Sequence, residues 1–164
     1  MPSVVPCAAL DPADLRQFVA SLGLTLHWVD DNASIPGSYW GDPEAGLIGN
    51  GLHVRGDTPV HSMLHELGHW RCMDPARRAT VDTDACGSDT EENAVCYLQA
   101  LLADTLPGYS RARLFQDMDA WGYHFILGSA EAWFTHDSDD AQRYLQEHGL
   151  ISATGALTGY PRLR

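Results

Sequence analysis

His65-Glu66-Leu67-Gly68-His69 constrains this 164-residue chain more than any other segment, because its chemistry works only on a helix. Residues four apart lie one above the other on a helix face. Two imidazoles at that spacing can grip one metal ion, and the glutamate after the first histidine points beside them. Two neutral nitrogen ligands, a third protein ligand and one open position describe a catalytic zinc site, with the carboxylate as general base for a water. A plainer reading competes, in which a surface helix carries two histidines and a glutamate. The surroundings favour the metal. Val60, Met63, Leu64 and Leu67 make an apolar stripe, and His65 and His69 stand at its border, where ligands on a half-buried helix belong. Gly68 sits in the helix interior, where glycine costs about 1 kcal/mol relative to alanine. A small residue there relieves crowding near an ion or admits a close neighbouring helix.

The flanking sequence supplies the frame. Asp11-Pro12 opens a helix with Leu15, Phe18, Val19 and Leu22 on one face, and Gly23 ends it. Leu24 to Val29 alternates as a strand, Tyr39-Trp40 and Leu47-Ile48 are short strand-like pieces, and Leu52 to Arg55 is another strand. Asp57 or Thr58 is expected to cap the motif helix, with Pro59 in its first turn. Arg71 to Gly87 reads as irregular. A helix is predicted from Ser88 or Asp89 to about Asp104, another from Ser110 through Leu127, a short piece at Ala130 to Thr135, and a last helix capped by Ser138 and ended by Gly149. The tail over 152–164 reads as loosely ordered. Strands come first and helices later, so the expected class is α+β, as one domain over residues 1–164.

A third ligand has to come from elsewhere. Glu91 lies 22 residues beyond His69, far enough for a reversing loop and a second helix. It shares a helical face with Ala94, Tyr97, Leu98, Leu101 and Leu102. A carboxylate on a buried stripe needs a partner, and a metal is one. Ser88 and Asp89 also make capping boxes with Glu91 and Glu92, and acidic residues suit a first turn. One glutamate can cap while the other binds. Glu92 points about 100° away from Glu91, so the expectation assigns Glu91 to the metal and Glu92 to the cap or solvent.

With these residues in view, the chain resembles the minimal gluzincins, including ImmA/IrrE-type peptidases and the metallopeptidase domain of ArdC-type antirestriction proteins. The likeness rests on His65-Glu66-Leu67-Gly68-His69 followed by Glu91-x-x-Ala94-x-x-Tyr97-x-x-x-Leu101-Leu102, within roughly Leu47 to Leu106. It implies a zincin-like fold, an edge strand at Leu52 to Arg55, and Glu91 as third zinc ligand. Gluzincins often place Asp or Asn four residues after that glutamate to hold a ligand histidine. Val95 stands there, which leaves the partner of His65 open. No helix-turn-helix segment accompanies the motif.

The expected activity is therefore zinc-dependent hydrolysis of a peptide or protein substrate, with Glu66 as base and the substrate laid as a strand beside Leu52 to Arg55. Tyr123, His124 or His136 is expected to stabilise the oxyanion. A metal-binding or interaction module with little activity, and a zinc hydrolase of non-peptide amides, are the competing readings. A formal charge of −12 excludes nucleic acid as a natural partner. No run is long and apolar enough for a membrane span. Cys7, Cys72, Cys86 and Cys96 show no C-x-x-C pairing. Without a recognisable signal peptide they read as reduced thiols of a cytoplasmic protein, with a Cys72–Cys86 pairing as the minor alternative. The oligomeric state is left open.

Overall fold

The computed structural model describes residues 3–164. Among them it is α+β, with seven α-helices and one small mixed sheet. Asp11 accepts from Ala13 N–H and Asp14 N–H and starts α1 (Pro12–Ser21) as predicted. Three strands follow, β1 (Thr25–Val29), β2 (Gly46–Ile48) and β3 (Gly51–Arg55). β3 is the central strand, parallel to β1 and antiparallel to β2. Both edges of β3 are thus paired, which corrects the expectation of an edge strand at Leu52 to Arg55. The free side of β2 is also covered. Leu47 N–H donates to Gly37 O, and Thr83 N–H donates to Leu47 O. Tyr39-Trp40 forms no strand but a bend.

The motif helix α2 (Val60–Cys72) follows β3. Neither Asp57 nor Thr58 caps it. Asp57 pairs with Arg55, and Thr58 Oγ1 accepts from Arg55 N–H at 2.8 Å. Pro59 is the N-cap, and the first helical N–H, from Val60, is satisfied by Val5 O at 2.9 Å. A backbone partner from the N-terminal segment has replaced the side-chain cap. The helix is also buried all round rather than on one stripe, since eleven of its thirteen residues are buried. It lies at the centre of one contiguous cluster that joins Leu15 and Val19 of α1, Leu47, Leu52 and Val54 of the sheet, and the helices that follow.

The segment expected to be irregular contains α3 (Pro75–Thr80), capped by Asp74, which accepts from Arg77 N–H. Next come α4 (Asp89–Ala103) and α5 (Arg111–Trp121). α5 ends six residues short of Leu127. Gly122 adopts φ 104°, a left-handed conformation that favours glycine, and returns its N–H to Met118 O. α6 (Ala130–His136) and α7 (Asp139–Glu147) complete the order. The tail is tied back: Ile151 bridges to Leu157, and Arg162 N–H donates to Arg71 O at the end of α2. All four cysteines are free thiols, with Cys7 and Cys72 in the core. Among the described residues no helix is long and apolar enough to cross a membrane.

Candidate metal centre

α4 crosses the motif helix closely because Gly68 allows it. A Cβ at Gly68 would stand 3.0 Å from Val95 Cγ1 and 3.6 Å from Val95 O. The close approach therefore answers the question of this glycine in favour of helix packing. It also sets the rotation of α4. Val95 faces α2, and Glu92 and Gln99, three residues before and four after it, lie on the same side.

The result is a compact group of three donor atoms. His65 Nε2 and His69 Nε2 are 3.2 Å apart, and Glu92 Oε2 lies 3.4 Å from the first and 3.2 Å from the second. A tetrahedral ion with bonds of about 2.0–2.1 Å holds its ligands roughly 3.3 Å apart. His65, His69 and Glu92 form the group among the described residues whose donor atoms could hold one cation.

Glu92 thus occupies the place expected of Glu91, and the reason is visible in the packing of α4. That helix is buried on two sides, against α2 and against α7. The apolar stripe that carries Glu91 reflects both contacts, not the α2 face alone. Glu91 is buried as predicted, but it accepts from Arg77 of α3 at 2.7 Å and from Tyr144 O–H of α7 at 3.4 Å. Its Oε1 lies 3.6 Å from His69 Nδ1, on the side of that ring away from the donor cluster. Burial raises its pKa, but His69 and Arg77 outweigh that and hold it below the usual carboxylate range. Gly87 packs against this carboxylate so tightly that a Cβ would come within 2.4 Å of it. Ser88 alone serves the cap, accepting from Glu91 N–H.

The partner of His65 is Gln99, which sequence reasoning missed. Its Oε1 lies 2.9 Å from His65 Nδ1, and its Nε2 donates to His61 O at 2.9 Å. The second bond fixes the amide orientation, so Oε1 accepts from His65 Nδ1–H and leaves the Nε2 lone pair facing the cluster. No local motif marks Gln99. Its place on the row with Glu92 and Val95 would have pointed to it, had the phase of α4 been known.

Glu66 is 6% exposed, and its Oε2 has no hydrogen-bond partner. Asp117 is a useful control within the same molecule. It is buried to 1% exposure, yet it accepts from Val5 N–H, Tyr109 O–H and the Arg113 guanidinium. A structural carboxylate in this fold is saturated, whereas Glu66 is left free beside a cavity. An unpartnered buried polar group is costly unless something outside the protein meets it. Burial pushes the Glu66 pKa up, while His65 and His69 pull it down.

Charge within the cluster is shared. Burial opposes the charged rings of His65 and His69. Tyr123, Cys96 and Glu92 around His65, and Glu91 and Glu92 around His69, outweigh it and raise both. Burial raises Glu92, but the two histidines outweigh it and carry its pKa far down.

A cavity of about 430 Å³ opens beside this group and is lined among others by Trp40, Glu44, Glu66, Trp121 and Tyr123. Tyr123 therefore reaches the site. Its hydroxyl lies 3.3 Å from His61 Nδ1, and burial pushes its pKa up to about 12, so it remains a hydrogen-bond donor. His61 is fully buried, and burial lowers its pKa to about 4. His124 and His136 are exposed and do not line the cavity, so the structure withdraws both as oxyanion candidates. Glu44 was not foreseen at all, because it lies in a turn with no periodicity to place it. No protein-family model matches the chain, and no curated protein or solved structure matches it either.

Proposed function

We propose that this protein is a zinc-dependent metallopeptidase of the minimal gluzincin type, on a zincin-like arrangement of a small sheet and the α2–α4 pair. The observation that carries the reading is the triangle of His65 Nε2, His69 Nε2 and Glu92 Oε2, with an unpartnered buried Glu66 carboxylate next to it. Two histidines and a carboxylate are a donor set suited to catalytic zinc. A bound zinc supplies Lewis acidity, polarising a carbonyl and acidifying a water.

The remaining steps belong to the chain's own residues. Glu66 takes the proton of the attacking water and later delivers it to the leaving amine. Its raised pKa suits a group that must do both. Gln99 hydrogen-bonds the His65 imidazole from behind, and the Glu91 carboxylate lies 3.6 Å behind His69 Nδ1 as an ionic neighbour. Tyr123 O–H is the donor available to the carbonyl oxygen as negative charge develops on it. The substrate cannot add as a strand to β3, since both of its edges are paired. It is held instead by side chains around the cavity.

The reading is tested by metal analysis and turnover together. The purified chain, reconstituted with zinc, is expected to hold one equivalent and to cleave a mixed quenched-fluorescence peptide library. A chelator should abolish cleavage, and Glu66→Gln should lower it about 10²–10⁴-fold with zinc retained. A protein that takes up no transition metal, or a Glu66→Gln variant with undiminished turnover, would overturn it.

A further inference from the structure

Glu44 is built into the cavity more firmly than a turn residue needs to be. The neighbouring Ala45 N–H donates to Ser62 Oγ on α2 at 3.0 Å. Gly46 then presses against the preceding turn so closely that a Cβ there would fall 1.8 Å from Pro36 O. Both contacts hold the backbone just after Glu44. Glu44 Oε1 accepts from Trp121 Nε1–H at 3.3 Å, which directs the group across the cavity.

Its electrostatic surroundings are one-sided. Glu44, Glu66 and Glu92 line the same cavity, and no arginine does. The chain contains no lysine, so its ten basic residues are all arginines. Among the described residues, Glu44 has no Arg or His within ion-pair distance. A divalent ion at His65, His69 and Glu92 offsets at most two of the three negative charges, and Glu66 is taken up by proton transfer. Glu44 is the charge left over. Glu66 Oε2, on the same cavity, is buried without a protein partner, as suits a group that meets a ligand. Trp40, 69% exposed, and Trp121 bring indole rings to the same cavity. Such faces attract cations and repel anions. Burial raises the Glu44 pKa against the pull of Trp121 and His65, and a bound cation would reverse that shift.

We infer that Glu44, in the cavity that Trp40 and Trp121 also line, is a specificity subsite for a cationic group of the substrate, an ammonium or guanidinium held beside the amide on which Glu66 acts. This rests on the metallopeptidase reading above. The cation can be the free α-amine of a peptide or a basic side chain, since both present the same charge and donors.

Four hydroxamates titrated calorimetrically into the zinc-loaded protein separate these sources. They are those of lysine, N-acetyl-lysine, norleucine and N-acetyl-norleucine. At least one ammonium-bearing compound is expected to bind about tenfold more tightly than the N-acetyl-norleucine compound, the size of one charge-assisted contact with a cation–π contribution. Whether the α-amine or the side chain confers the gain identifies the source. Glu44→Gln should bring the preference within about twofold and leave the N-acetyl-norleucine affinity unchanged. Trp40→Ala, at an exposed position, should reduce the same preference and serves if Glu44→Gln fails to fold. Equal binding of all four by the wild type, or a preference that survives in a folded Glu44→Gln, would overturn the subsite. If none of the four binds the zinc-loaded protein, the open catalytic position of the metallopeptidase reading is refuted and the subsite with it, a result distinct from equal binding.

Discussion

His69 and Trp40 border the same cleft, yet one is 3% and the other 69% exposed. The difference runs through the whole site. On the α2–α4 side, each histidine ring of the cluster has something behind it. Gln99 supports His65, and Glu91, itself clamped by Arg77, lies behind His69. On the opposite side stand a turn carrying Tyr39, Trp40 and Glu44, and a stretch after α5 in which Ile126 is 96% exposed. The helical side can hold atoms to within fractions of an ångström because packed helices have no alternative arrangement nearby. The loop side has large apolar groups in solvent and few partners, which suits a surface that meets something variable. Under the proposed function, chemistry and recognition fall to different kinds of structure.

The comparison breaks first at the ligand set. Glu92→Ala is expected to yield a chain without zinc, since two histidines alone hold it poorly. Glu91→Ala should keep the metal with affinity weakened about 10–100-fold, as for loss of a supporting group. Metal content and chelator competition decide between them, and the reverse pattern would place Glu91 in the site.

Glu66→Gln should lower turnover by about 10²–10⁴ with zinc affinity nearly unchanged, the usual cost of losing a general base. Gln99→Leu sharpens the claim about support. It should weaken zinc binding about 10–100-fold and cost about 1–3 kcal/mol of stability, because His65 Nδ1 and the His61 carbonyl lose their partner. Denaturant unfolding and zinc titration measure the two effects separately.

Zinc affinity should also depend on pH in a set direction. Metal binding needs both imidazoles neutral, and their pKa values are raised above 6.5 in the metal-free fold. Affinity should therefore climb as pH rises from 6.5 through those values, and fall as pH drops. A flat profile between pH 6 and 8 would remove both histidines from the ligand set. The smallest effect belongs to the loop side. Trp40→Ala should change stability by no more than about 0.5 kcal/mol and leave zinc affinity intact. Loss of zinc in that variant would erase the distinction between the two sides.

Much of the frame was legible along the chain. Asp11-Pro12, Ser88 and Ser110 start helices where expected, and β1 and β2 fall on the apolar runs that predict them. These features depend on neighbours within a turn or two. The misreadings share another origin. The motif helix looks half-buried because periodicity records only its apolar stripe, while the sheet and α4 cover the polar faces as well. β3 looks like an edge because sequence order does not reveal that β1 and β2 flank it.

The sequence by itself determined that His65, Glu66 and His69 share one helix face and that an acidic pair begins a later helix, because helical geometry is local and repeats every 3.6 residues. Only the tertiary structure decided that Glu92 meets the histidines, that Glu91 and Gln99 stand behind them, and that Glu44 faces them across the cavity. A rotation of α4 by one residue, about 100°, would exchange the two glutamates. That rotation is set by the contact of Gly68 with Val95 and by α7 on the far side. Those contacts join residues far apart in the chain, so their geometry depends on the assembled core rather than on any local pattern.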